Sequence, residues 1–329
     1  MSLSLVVVAN ARLPSQRAQS LQVIQAAAAF ARAGAPTVLA HARRRRTTPL
    51  PAGVDLFEHY AVPAGARPEI LEVACLDAID LVPRALQYLP ARLQELSFSR
   101  NAARLVRERF GGRTVLSREV EAGRALLRGG FDDVFLEVHR VPGGRTRRRW
   151  LAEAMGRARG VVAISGGVRE ELCALGLDPA RVVVEHDALE PSRFAALPPR
   201  EEAREELGLP REGPQVAYTG GLLAWKGAEV LVEAARLLPA VRFVVAGGMD
   251  LDVERLRERA RGIPNVRIDG FQPPARVGLY LRAADVGVVP NRSQPAISAR
   301  YTSPLKVFEA MAVGLPLVAS DLPSLRELL

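Results

Sequence analysis

The sequence predicts two tandem doubly wound α/β domains of the Rossmann-like kind, facing each other across a cleft. Short apolar runs of strand length alternate with longer segments of helical period, the pattern of parallel strands covered on both faces. The alternation restarts after a polar, charged stretch from about Pro191 to Gly213. The length of 329 residues also exceeds the ~250 to 300 at which a single hydrophobic core stops growing. The expected domains are residues 1–195 and 196–329.

In the first half, strands are expected at Leu5 to Ala9, Thr37 to Ala40, Val134 to Val138 and Val161 to Ile164, each a β-branched or aliphatic run too short for a helix. Helices are expected at Gln16 to Arg32 and Gly167 to Leu175. In the second half the strands are Gln215 to Tyr218, Val241 to Ala246, Val266 to Ile268, Val286 to Val289 and Leu317 to Ala319. Between them fall helices at Ala228 to Leu238, Leu251 to Arg261, Arg276 to Ala284 and Pro304 to Val313. Such domains bind ligands beyond the carboxyl ends of their strands, which is where function is expected.

With 48% hydrophobic and 25% charged residues the chain has the composition of a globular protein that folds on its own core. Its two cysteines, Cys75 and Cys173, lie far apart with no ligand-spaced His or Cys, so neither a disulfide nor a metal site is expected, and both read as buried thiols. The first apolar run is short for a signal peptide and lacks preceding basic residues, and no stretch reaches the ~18 apolar residues of a bilayer span. A cytoplasmic location is expected, with membrane contact peripheral and at the inner face. A net charge of +9 favours anionic partners. The basic runs Arg43 to Arg46 and Arg145 to Arg149 read either as solvated loops or as contacts to phosphorylated or lipid-linked molecules at an anionic membrane. They are not interleaved with aromatics, so nucleic acid is not the expected partner. The chain ends at Leu329 inside a helix expected from Pro323, and the second domain is expected to be incomplete there.

The chemistry concentrates in TSPLKVFEAMAVGLPLVAS, residues 302–320. Ser303 fits a helix N-cap and Pro304 the first helical position. Lys306 then falls in the first turn, where the helix dipole repels a cation. An anion bound at that terminus removes the conflict. Glu309 falls on the apolar face between Leu305, Phe308 and Ala312, and a carboxylate there needs a protein cation or ligand hydroxyls. Six residues at ~1.5 Å rise put it ~9 Å from Ser303, which suits a diphosphate at the tip and a ribose alongside. A second segment, YTGGLLAWKG (residues 218–227), ends a strand in Gly220 and Gly221, where backbone amides can approach a ligand, and adds the point charge of Lys226. Neither a GxxxxGK[ST] loop nor a GxGxxG turn is present.

Both segments resemble the C-terminal domain of the GT-B glycosyltransferases, family 4, also called glycosyl transferases group 1. NARLPSQRAQSLQV, FLEVHRVP and VVAISGGVREEL resemble segments of that family's N-terminal domain, so the resemblance covers nearly the whole chain. It implies a hexosyltransferase that takes a nucleoside diphosphate sugar as co-substrate, requires no metal or other cofactor, and acts with retention on a sugar or lipid-linked acceptor. Carried over by position, it implies that Lys226 holds the diphosphate beside Gly220 and Gly221, that Glu309 holds the ribose hydroxyls, and that Ser303, Pro304, Leu305 and Lys306 hold phosphate and sugar through their backbone. His139, which ends the strand FLEVH, joins Lys226 and Glu309 as a catalytic candidate that orients the donor sugar. Asn10, Ser15 and Arg17 are candidate acceptor contacts beyond the first strand. Two departures stand out: Tyr301 where the family's Glu-x7-Glu has its first Glu, and Gly221 where an Arg is usual. They leave open a sugar-nucleotide epimerase of the same fold, or a non-catalytic nucleotide-sugar or carbohydrate-binding protein. The number of copies that associate is not legible.

Overall fold

A computed structural model describes residues 3–329. The chain divides into two compact units. The first comprises most of residues 1–186, and the second comprises 187–329 with the short segments 16–21 and 59–61.

Seven strands form the sheet of the first unit: β1 (Leu5–Ala9), β2 (Thr37–Ala42), β3 (Glu69–Val73), β4 (Thr114–Ser117), β5 (Val134–Val138), β6 (Gly160–Ala163) and β7 (Val182–Val184). Their order is β3-β2-β1-β4-β5-β6-β7, and every neighbouring pair is parallel. β1 and β2 are buried along their whole length, which explains their unbroken apolar reading. β4 and β7 were not expected from sequence, and neither was β3. Its exposed Glu69 and Glu72 mark it as an edge strand, whose outer side needs no apolar residue.

The second unit carries β8 (Gln215–Thr219), β9 (Arg242–Ala246), β10 (Val266–Gly270), β11 (Val286–Val289) and β12 (Leu317–Ala319), in the parallel order β10-β9-β8-β11-β12. Alternate residues of β9 serve opposite faces. Phe243 and Val245 pack with Leu231, Val232 and Leu256, whereas Val244 and Ala246 pack with Leu279 and Tyr280. The expected α/β class and strand positions of both units hold, with element ends moved by one or two residues. Cys75 and Cys173 are half-buried, not buried, and both are free thiols.

In each sheet the chain reverses its winding direction beside the first strand, between β1 and β4 and between β8 and β11. The loops leaving those strands splay apart and open a crevice. In the first unit Asn10 and Glu119 meet there, the Asn10 N–H donating to Glu119 Oε1 at 2.9 Å. The Asn10 side chain makes two reciprocal hydrogen bonds with Gln94 in this crevice, at 3.0 and 2.8 Å. Ser15 is buried and Arg17 is exposed.

Burial, reinforced by Glu95 and Glu121, pushes the Glu119 carboxyl up to about 7. A carboxyl whose folded pKa is raised adds stability that is full below its unfolded pKa and is lost as pH rises through the folded value. Stability is therefore expected to fall on the order of 2–3 kcal/mol between about pH 5 and 8 through this group. Glu119→Gln keeps a carbonyl for the Asn10 N–H and should abolish that decline, read by urea denaturation at pH 5, 6.5 and 8.

Candidate functional site

The crevice of the second unit gathers the loop after β8, the loop after β11 and the helix Leu305–Ala312. β8 ends at Thr219, and Gly220 continues with φ +126, a conformation that side chains rarely adopt. The chain then makes a short 3-10 turn, Ala224–Lys226, closed by Gly227 at φ +70. A Cβ on Gly227 would lie 1.9 Å from the Pro290 carbonyl oxygen. The Lys226 turn is thus pressed directly against the strand end of β11, and the Arg292 N–H donates to the Trp225 carbonyl at 2.8 Å beside it. Gly227→Ala combines a backbone clash with a disfavoured φ, so it should cost more than ~1 kcal/mol and displace Lys226. A urea titration of the variant, with diphosphate affinity measured alongside, reads both effects.

The helix Leu305–Ala312 begins one residue later than its sequence suggests. Pro304 is the N-cap, at φ −77 and ψ 119, and makes no side-chain cap. Ser303 is not the cap, because its hydroxyl instead accepts from the Asp187 N–H at 2.8 Å and pins the helix to the start of the second unit. Lys306 is then the second helical residue. The helix is also rotated from the expected face: Lys306, Val307, Glu309 and Ala310 are buried, while Ala312 is exposed and Leu305 and Phe308 are half-buried. Val307 and Ala310 pack into two different clusters of the core, which fixes this rotation.

Burial places both charged side chains of the helix in an unusual setting. The Lys306 ammonium lies 3.7 Å from the centroid of the Tyr218 ring and has no hydrogen-bond partner among the described residues. The ring face supplies some attraction, on the order of 2 kcal/mol for a desolvated cation. Tyr218 is itself fixed, its hydroxyl donating to the Gly221 carbonyl at 2.6 Å. Burial and the neighbouring Lys226 hold the Lys306 ammonium well below the usual lysine range, and Glu309 only partly opposes them. Lys226 lies 5.3 Å from the centroid of the Trp225 ring, and burial lowers its pKa as well.

Glu309 meets a cation that sequence reasoning missed. Its Oε1 lies 3.8 Å from an Arg193 terminal nitrogen, both side chains being nearly buried. Burial pushes the Glu309 carboxyl up, and Arg193, Lys306 and Lys226 pull it down without cancelling that effect. Three basic side chains therefore surround one carboxylate in a desolvated place. Two further polar groups stand at the same strand ends: the Thr219 hydroxyl and both side-chain amide atoms of Asn291 are buried without a partner among the described residues. A buried cation without a hydrogen bond costs several kcal/mol and is retained where a ligand supplies the missing charge and acceptors.

The structure thus brings Gly220, Gly221, Lys226, Ser303, Pro304, Leu305, Lys306 and Glu309 into one crevice and adds Tyr218, Thr219, Arg193 and Asn291. Glu309 on a helix face signalled that a cation was needed, but nothing local showed that Arg193, 116 positions earlier, supplies it. His139 belongs to the first unit, just beyond β5. Its Nε2 lies 2.7 Å from both Glu137 Oε1 and an Arg118 terminal nitrogen, and Arg118 Nε lies 3.1 Å from the same carboxylate oxygen. Burial raises the Glu137 pKa, but Arg118 and His139 outweigh it and hold the carboxyl below its usual value. Among the described residues no group of three or more His, Cys, Asp or Glu side chains is arranged to hold a metal ion.

Residues 213–329 match the sequence model of the family described as Glycosyl transferases group 1. The D-inositol 3-phosphate glycosyltransferase of Mycobacterium leprae (strain Br4923) is 34% identical over 152 residues, covering 44% of this chain and 33% of the relative. The enzyme of the same name from Mycobacterium bovis (strain BCG / Pasteur 1173P2) is 31% identical over 169 residues, covering 49% and 33%. The chain spans about a third of the length of these curated relatives. Among solved structures, Anabaena HepE in complex with UDP-glucose superposes with a TM-score of 0.70 at 16% identity, covering 99% of this chain and 83% of that one. Sucrose-phosphate synthase from Thermosynechococcus elongatus also gives 0.70, at 20% identity and the same coverages. Residues 213–329 are therefore similar to glycosyl transferases group 1, and the two parallel-sheet α/β units are similar in fold to solved GT-B glycosyltransferases.

Proposed function

We propose that the protein is a glycosyltransferase that moves a hexosyl group from a nucleoside diphosphate sugar to an acceptor hydroxyl, with retention, in the synthesis of a polysaccharide or glycoconjugate. The observation that carries this is the buried, unpartnered Lys306 ammonium at a helix tip beside Lys226. A diphosphate placed there accepts from both ammonium groups and from the free N–H groups of the helix start. Glu309, held by Arg193, accepts from the ribose hydroxyls. As the sugar–phosphate bond breaks, negative charge grows on the leaving diphosphate, and prearranged cations stabilise that charge more than the ground state. No metal is needed for this. The acceptor oxygen bonds to the anomeric carbon on the face the phosphate leaves, and the hydroxyl proton passes to the departing phosphate oxygen. His139, aligned by Glu137 and Arg118, is the catalytic candidate of the first unit.

The acceptor is a sugar or a lipid-linked molecule, and the enzyme works in the cytoplasm in peripheral contact with the inner face of an anionic membrane. The +9 charge supports this contact, and no helix among the described residues is long and apolar enough to cross a membrane. A thermal-shift panel of UDP-, GDP-, ADP- and dTDP-sugars tests the donor assignment. At least one should raise the melting temperature by several degrees, as expected for a ligand far above its dissociation constant. A flat response to all four sinks the reading. Conversion of the donor sugar with no acceptor present would instead mark an epimerase.

A further inference from the structure

Of the eighteen large hydrophobic side chains that are exposed among the described residues, seven fall between Leu76 and Leu96 of the first unit. That stretch leaves the carboxyl end of β3, passes Leu81 and Leu86, and enters the long helix Tyr88–Arg109. Tyr88 is 80% exposed, and Leu89, Leu93 and Leu96 are 64%, 48% and 40% exposed. At ~100° per residue the three leucines fall within about 60° of one another, so they form one outward stripe. The opposite face, with Phe98, Ala102 and Val106, is buried. Monomeric proteins rarely leave so continuous an apolar surface to water without a use for it.

Both basic runs of the sequence are tied to this stretch by hydrogen bonds. The Arg45 N–H donates to Asp77, the Cys75 thiol to the Arg43 carbonyl, and the Leu76 N–H to Ser97 on the long helix. From the other run, Arg147 donates to Glu95 at 2.7 Å. The nearby acids are already neutralised: Asp77 by Arg44, Asp80 by Arg12, and Glu95 by Arg92 and Arg147. Arg43, Arg45, Arg46, Arg145, Arg148 and Arg149 are exposed and form no ion pair with the described residues. An apolar stripe with exposed arginines on the segments tied to it matches the two layers of an anionic bilayer surface, acyl chains behind phosphate headgroups.

We infer that the surface formed by residues 76–96 with the arginines at 43–46 and 145–149 docks the first unit onto an anionic phospholipid bilayer. The leucines and Tyr88 enter the interface and the arginines take the headgroup phosphates. The inference rests on the peripheral-membrane reading above and adds where contact is made. The Arg12–Asp80 pair joins this surface to the loop after β1.

The test is cosedimentation of the full chain with phosphatidylcholine vesicles and with vesicles that also contain phosphatidylglycerol. Wild type is expected to pellet with the anionic vesicles only. Arg145→Gln/Arg148→Gln/Arg149→Gln should weaken this about a hundredfold, at about fivefold per arginine near an anionic surface. Leu89→Asp/Leu93→Asp should weaken it at least tenfold, with an unchanged melt and an unchanged thermal shift by the best donor to show that the fold is intact. Tyr88→Trp fluorescence should be quenched by bromine-labelled acyl chains. If wild type pellets and both multiple variants pellet equally well, the surface assignment is overturned and peripheral binding stands. If wild type binds no vesicle, both fail, whatever the donor panel shows. If Leu89→Asp/Leu93→Asp turns a dimer into a monomer in sedimentation velocity without altering vesicle binding, a second copy covers the stripe and the inference is overturned.

Discussion

Lys306→Met should bind diphosphate about 10- to 150-fold more weakly than wild type, while the unliganded protein becomes more stable. The two effects have one origin. Hydrogen bonds to a charged group contribute ~1.5–3 kcal/mol, which sets the loss of affinity. In the absence of an anion, the same ammonium is desolvated beside Lys226, with only a ring face for company. Methionine keeps the packing and removes the charge. The sign of the proton linkage follows from the depressed lysine. A lysine whose folded pKa is lowered adds stability that is full above its unfolded pKa and is lost as pH falls through the folded value. A bound diphosphate raises that pKa again, so binding above it is expected to take up protons. Calorimetry of diphosphate binding in buffers of different ionisation enthalpy reads that uptake, and it should disappear in Lys306→Met. Unchanged affinity together with unchanged proton uptake in the variant would falsify the phosphate assignment.

Glu309→Gln should lower stability by ~3–5 kcal/mol, because Arg193, Lys226 and Lys306 would then share a buried site with no anion. Added pyrophosphate should recover part of that loss by supplying the missing charge. The substitution should also erase selectivity for the nucleoside. Wild type is expected to bind a nucleoside diphosphate more tightly than pyrophosphate, and the ratio should shrink about 10- to 100-fold when the carboxylate that accepts from the ribose is replaced. Equilibrium urea unfolding measures the first effect and paired titrations the second. A ratio equal to that of wild type would remove Glu309 from the ribose contact and leave it as a structural partner of Arg193.

Wherever the governing forces act within a turn or a strand, the sequence was sufficient. The mostly apolar runs of β1, β2, β5, β6 and β8 to β12 read as strands because parallel strands covered on both faces are rich in apolar residues, although Glu137 interrupts β5 and Arg267 and Asp269 interrupt β10. Lys306 and Glu309 were conspicuous because each violates a local rule, one at a helix start and the other on a buried face. The glycines and Lys226 after β8 were legible as a turn that brings backbone close to a ligand. Edge strand β3 was not legible, since a strand covered on one side alternates weakly and its glutamates mimic a loop.

Tertiary structure decided the rest. Ser303 has an N-cap's composition, but the Asp187 N–H claimed its hydroxyl and the helix began at Leu305. That shift, with Val307 and Ala310 locked into the core, turned Lys306 inward over Tyr218 and brought Glu309 to Arg193. Propensity and periodicity act over three or four residues, whereas a buried charge finds its partner wherever the folded chain passes. The sequence alone determined that this crevice holds charges needing partners. Only the fold decided which partners they have, and that the basic side chains outnumber the carboxylate and so favour an anion.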